Sequence, residues 1–416
     1  MKKHIKILFL LTVLFISNPG FSQVSISMGS GYAYDVYYSL QNGIVDAMER
    51  TDWELAFYTD AESGAIITNG AQGVELYTYP NGDTTAWLNV DTNGLTTWPV
   101  LFDGEDSWEN GAFNRNSHGF PDYGWGLIDL VSGDIIGDSI YIIKLADGTY
   151  RQLWMVRKVI SENRYIMRYA DIDGGSEVED VLIVDGYQEM NFAYYSFDDG
   201  YLFEREPFTA DWDILFTRYQ AFQPQGVYYP VTGVLTNVTS PGNRFHPVPL
   251  DFNDWFLQDL DTVKGIIGSN WKWFDFSTGW NLEDSLMFFI NAPDGSIHKI
   301  YFTYFAGMSS GDIEFEQEIV SMVGIDDAIA IEHGNIQLSP NPAKNNLKVS
   351  WDQPLTGKTS LKIFDVSGKE ILFRELDQNM MFAGSIVLDV STLKEGMYIV
   401  NLTSEGHAVN EKLIIR

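Results

Sequence analysis

The sequence predicts an all-β protein: two duplicated β-rich domains followed by a small immunoglobulin-like β-sandwich. Three observations carry this. Aromatic residues make up 14% of the chain, beside 37 glycines, a composition of short strands joined by tight turns rather than of long helices. A phrase reading acid, Trp, acid, apolar, any residue, Phe is written at 52–57 and again at 211–216. After Val323 the charge balance and the strand rhythm change together.

The chain opens with Lys2, Lys3 and Lys6, an apolar run over 7–16, then Asn18-Pro19-Gly20 and small Ser22 ahead of Gln23. That order predicts a secretory signal peptide over 1–22. The run is about half of the roughly 20 residues a membrane span needs, so no transmembrane span is expected. Cysteine is absent, which leaves an exported chain without disulfides and removes thiolate chemistry. Residues 23–335 carry 14 basic and 48 acidic side chains, whereas 336–416 carry nine of each. So negative a field repels nucleic-acid phosphates and anionic lipid, and neither is expected as a partner. The acidic stretch from Asp171 lacks the spacing and terminal bidentate Glu of a calcium-binding loop and reads as a solvated turn.

The doubled phrase belongs to a longer repeat. Tyr37-Tyr38-Ser39 recurs 157 residues later as Tyr194-Tyr195-Ser196, and Trp53 recurs 159 residues later as Trp212. Downstream, the segment from Trp125 matches that from Trp271, and Asp147-Gly148 matches Asp294-Gly295. Four anchors in one order predict a tandem duplication, 23–186 and 187–323, with a period far too long for a solenoid. Asn42-Gly43 and Asp199-Gly200 read as hairpin turns, because both residue types tolerate the positive φ that such turns demand. Trp53 and Trp212 are expected in the β cores rather than at a site. The middles, 71–123 and 224–270, diverge and are rich in Gly, Pro, Asn and Trp, so ligand specificity is expected there.

The tyrosine-rich strand with its Gly turn, the Trp-acid-apolar strand, a variable middle and a closing Asp-Gly hairpin resemble the HmuY-like family of secreted or surface haem-binding proteins of Bacteroidota, over most of 34–320. The resemblance implies haem as a possible ligand, an outer-membrane haem receptor as a possible partner, and axial ligands on the variable middles. Each middle holds one histidine, His118 and His246, and neither holds a methionine. Two axial ligands within one domain are thus not available from these segments; a five-coordinate site, a Tyr ligand or no haem are the alternatives. His118 and His246 are the candidate ligands, both preceded by an Asn-Arg pair.

Residues 324–335 read as a short acidic linker. Beyond it, 336–416 alternates six or seven short strands with turns at Ser367-Gly368, Glu395-Gly396 and Glu405-Gly406, the pattern of a small sandwich. Pro340-Asn341-Pro342, Phe364-Asp365-Val366-Ser367-Gly368-Lys369, Leu393-Lys394-Glu395-Gly396-Met397-Tyr398 and the final Lys412 to Arg416 closely resemble the type A C-terminal sorting domain of the type IX secretion system. That likeness implies the type IX secretion machinery as partner, passage via the periplasm to the outer cell surface, and removal of the domain with release or attachment to lipopolysaccharide. No nucleophile elbow, His-Glu-x-x-His or phosphate loop is present, so no enzyme is expected. A secreted or surface binding protein for haem or a related tetrapyrrole is the leading reading. The alternative is a carbohydrate- or protein-binding module using Trp87, Trp98, Trp108 and Trp255 as stacking platforms.

Overall fold

Eleven strands of the first repeat recur in the same order in the second. The computed structural model describes residues 22–321, 336–351, 355, 359–365, 369–377, 380–381, 384–404 and 407–416. In the first repeat stand β1 (Ser22–Ser27), β2 (Tyr34–Ser39), β3 (Gly43–Glu49), β4 (Leu55–Tyr58), β5 (Ile66–Thr68), β6 (Glu75–Thr78), β7 (Gly126–Ile128), β8 (Ile135–Gly137), β9 (Tyr141–Lys144), β10 (Tyr150–Val159) and β11 (Arg164–Asp171). Their counterparts are β12 (Val178–Ile183), β13 (Phe192–Ser196), β14 (Tyr201–Phe203), β15 (Ile214–Phe222), β16 (Tyr228–Thr236), β17 (Gly242–Phe245), β18 (Lys272–Asp275), β19 (Gly279–Leu282), β20 (Met287–Asn291), β21 (Ile297–Phe305) and β22 (Asp312–Ser321). The fold is all-β, as the composition predicts.

The repeats do not fold as separate beads. The strand order β1-β22-β21-β20-β17 is echoed by β12-β11-β10-β9-β6, and β16-β15-β2-β3 is echoed by β5-β4-β13-β14. Strands β1 to β3 of the first repeat therefore complete sheets of the second, β1 on β22 and β2 on β15. Reciprocally, β12 pairs with β11 and β13 with β4. One lobe is the continuous stretch 55–203; the other joins 22–49 to 214–321. The boundary drawn at 186 and 187 falls after β12, so the structural repeat begins ahead of it, and the lobes are phased differently from both. Equivalent strands carry equivalent residues whichever copy they pair with, so the repeat alone does not disclose the exchange.

The two four-stranded sheets lie in the middle and are covered on both faces. Leu55 and Phe57 of β4, with Ala193 and Tyr195 of β13, enter the core of the continuous lobe. Val36 and Tyr38 of β2, with Ile214 and Phe216 of β15, enter the core of the other. The intervening residues Tyr37, Ala56, Phe192, Tyr194 and Leu215 point the other way and meet in a third core between the lobes, as the two-residue period of a strand requires. Four sheets thus form four layers around a pseudo-twofold axis. The Tyr37 and Tyr194 hydroxyls stand 3.5 Å apart. Trp53 meets Tyr194 and Trp212 meets Tyr37 edge to face, both at 5.1 Å between ring centres. Trp212 is a core residue as expected, but of the shared core; Trp53 is half-buried against that core and also lines the cavity described below.

The C-terminal part holds β23 (Ile336–Ser339), β24 (Asn346–Trp351), β25 (Thr359–Asp365), β26 (Glu370–Leu376), β27 (Ser385–Asp389), β28 (Gly396–Ser404) and β29 (His407–Ile415). Its two sheets, β23-β24-β27 and β26-β25-β28-β29, enclose Leu347, Val349, Leu361, Ile363, Val400, Leu402 and Leu413. This is the predicted small sandwich. Residues 1–21 of the signal peptide expected over 1–22, the linker over 324–335 and the turns at Ser367-Gly368 and Glu405-Gly406 lie outside the described residues. Among the described residues no helix is long and apolar enough to cross a membrane.

Candidate functional site

A cavity lined by apolar and charged side chains together lies between the lobes, at one side of the pseudo-twofold axis. About 80 Å³ of it is open to the centre of a water-sized sphere, where a single water needs roughly 10–15 Å³. Its lining draws on both repeats: Asp35, Tyr37, Trp53 and Thr68 from the first, Tyr194, Arg205, Arg218 and Gln220 from the second. The divergent middles add Phe102, Asp103 and Trp108 from one copy and Lys264 from the other. Lobe junctions are common places for small-molecule sites.

Charge is buried on one wall and matched there. The Arg205 guanidinium donates to Asp35 Oδ2 at 2.7 Å and to Asp52 Oδ1 at 2.8 Å. Arg50 Nε donates to Asp35 Oδ1 at 3.1 Å, and Thr217 Oγ1 donates to the same oxygen at 2.6 Å. Behind this wall the Tyr194 hydroxyl donates to Glu206 at 2.9 Å. Burial pushes the Glu206 carboxyl up to about 7, against the pull of the Phe192 N–H and Tyr194. On the opposite wall Asp103 accepts from the Ala112 N–H at 2.7 Å and from the Thr68 N–H at 3.2 Å. Burial raises Asp103 to about 6 although Lys264 pulls it down, and burial lowers Lys264. The Lys264 ammonium lies 4.8 Å from the centre of the Trp108 ring.

Four lining groups have buried atoms without a partner in the protein: Trp53 Nε1, Thr68 Oγ1, Arg218 Nε and Gln220 Oε1. Thr68 is only 4% exposed. Buried polar atoms are almost always hydrogen-bonded, and each orphan costs about 1–3 kcal/mol. Four of the eight such atoms among the described residues belong to residues that line this cavity.

His118 and His246 lie elsewhere, on different lobes, and neither lines this cavity. The His118 side chain is 91% exposed, with Nδ1 3.1 Å from Asp122; His246 Nε2 stands 3.1 Å from Glu283. Their shared Asn-Arg lead does not place them at equivalent positions. Asn243 and Arg244 sit within β17, whose counterpart is β6, whereas Asn114 ends a short 3-10 helix, Ala112–Asn114, and donates to Gly64 O and Tyr123 O. Of the expected stacking platforms only Trp108 lines the cavity, and it is buried, as is Trp87; Trp98 and Trp255 are half-buried. Four exposed rings cluster on the β18–β19 hairpin, Trp273, Phe274, Phe276 and Trp280, with Phe276 wholly in solvent.

Sequence reasoning missed the cavity because its residues come from both repeats and meet only through the strand exchange. One signal was present: Tyr37-Tyr38 and Tyr194-Tyr195 are consecutive aromatics, which mark strands buried on both faces.

No curated protein matches the chain. The dimeric latent PorU structure from Porphyromonas gingivalis is 8% identical, with a TM-score of 0.17, over 85% of this chain and 31% of that one. The chain thus spans under a third of that protein, and so low a score carries no argument. Residues 337–416 match the secretion system C-terminal sorting domain family, over the β-sandwich described above. The chain therefore ends in a type IX secretion sorting domain and is a secreted or cell-surface protein.

Proposed function

We propose that this is an exported binding protein that holds a small polar ligand between its two lobes. The four unpartnered buried polar atoms around one cavity carry the reading. A lipopolysaccharide anchor after removal of the sorting domain would present the cavity at the cell surface, and the reading assigns it no catalytic step. Haem does not fit this cavity. The space is that of a few waters, and the lining contains neither histidine nor methionine. Incubation of the purified protein with a fractionated small-metabolite extract should raise its melting temperature saturably. A ligand at 100 times its Kd stabilises by about 2.7 kcal/mol. Trp53→Phe, which keeps a ring and removes the indole N–H, should weaken that effect. No fraction altering the melting temperature, with Trp53→Phe indistinguishable from the parent, would end this reading.

A second reading concerns the β18–β19 hairpin. Its rings are ordered by edge contacts of Phe274 with Phe276 and Trp280, and Asp275 caps its turn by accepting from the Ser277 and Thr278 N–H groups. Those bonds, with Ser277 Oγ foremost, hold the Asp275 carboxyl down at about 2. Fixed, exposed rings are suited to stacking on sugar faces. Glycan-array binding that is lost in Trp273→Ala and Phe276→Ala, with melting unchanged, is the expected result. Binding that persists in both variants would refute it.

A further inference from the structure

We propose that the interlobe cavity takes a small organic acid with a hydroxyl or amine beside its carboxylate, the carboxylate meeting Arg218 and the hydroxyl or amine meeting Gln220. This deepens the ligand-binding reading and rests on it.

Two cations lining the cavity have no carboxylate within ion-pair distance among the described residues, Lys264 and Arg218. Arg50 and Arg205 face Asp35 and Asp52. Lys264 faces Asp103 and Asp106, the carboxylates that act on it most strongly. The Arg218 guanidinium lies over the Tyr32 ring, 5.6 Å from the centre. Its like charge works against Arg50, so an anion beside it would relieve repulsion as well as meet the orphaned Nε. Arginine is suited to this because its planar fork matches a carboxylate.

The remaining orphans define the rest of the ligand. The Trp53 Nε1–H and the Thr68 hydroxyl are further donors for carboxylate oxygens. Gln220 is fixed the other way round. Its Nε2 donates to Gly70 O at 3.0 Å, which leaves Oε1 as an acceptor lining the cavity. An O–H or N–H donor, from a ligand or from water, is what would satisfy it. A neutral polyol would leave Arg218 unmatched, and a plain carboxylate would leave Gln220 unmatched. The small volume restricts the molecule to roughly ten heavy atoms or fewer.

The test is calorimetric titration of the protein, signal peptide removed, with L-lactate, D-glycerate, L-malate and L-serine, against propionate and glycerol. At least one of the four should bind one to one, with propionate and glycerol about tenfold weaker or more. Arg218→Gln should weaken the acid roughly 30-fold, as expected for a hydrogen bond to a charged group, and Arg218→Lys should restore part of the loss. Near-UV circular dichroism checks that the variants fold, and the six-probe comparison on the parent protein needs no variant. Glycerol binding as tightly as the acids, or Arg218→Gln leaving acid affinity unchanged, would overturn the acid class and leave the cavity reading standing. No binding of any of the six would also overturn the acid class, with water as the occupant under these conditions. The cavity reading itself is judged on the metabolite extract and Trp53→Phe.

Discussion

A fragment of residues 23–186, cut at the sequence repeat, should show no cooperative thermal transition. A fragment of 50–204, which cuts across that repeat, should melt cooperatively. In the first, β2 has lost β15, β1 has lost β22 and β4 has lost β13, so Val36 and Tyr38 have no core to enter. The second keeps every strand of the continuous lobe, with Leu55, Phe57, Trp125, Tyr165 and Tyr195 in one cluster. It exposes the face that carries Ala56, Phe192 and Tyr194, and an apolar patch of that kind favours self-association. Melting followed by near-UV circular dichroism at low concentration is the measurement. A sharp native-like transition in 23–186 would show that the exchange is dispensable.

Asp35→Ala should destabilise the protein by about 3–5 kcal/mol, the usual effect of removing one partner from a buried ion pair. Asp35 is the only carboxylate paired with Arg50 among the described residues, and it shares Arg205 with Asp52. Arg50 and Arg205 are each 2% exposed, so the substitution strands a positive charge beside others of the same sign. Asp35→Asn keeps the shape and an oxygen acceptor, so it should lose nearly as much if charge is what matters. Urea unfolding midpoints of the two variants decide this. A near-neutral Asp35→Asn would assign the wall to hydrogen-bond geometry instead.

Much of the fold is legible in residues close together along the chain. The composition and the Asn-Gly and Asp-Gly turns give an all-β chain. The anchors at Tyr37, Trp53, Trp125 and Asp147 and their later partners give the duplication, and the motifs from Pro340 to Arg416 give the sorting domain. These signals are local, set by turn chemistry and the two-residue period of strands. The pairing of β2 with β15 and of β13 with β4 is not local. Two copies of one strand offer the same hydrogen-bonding edge and much the same side chains, so only the three-dimensional path of the chain selects which copy joins which sheet. That selection sets Asp35 against Arg205 and Trp53 against Tyr194, and it gathers Thr68, Arg218 and Gln220 at one cavity. His118 and His246 stood out in the sequence because histidine is rare and chemically versatile. The groups left without partners could be found only once every other polar group had been given its own.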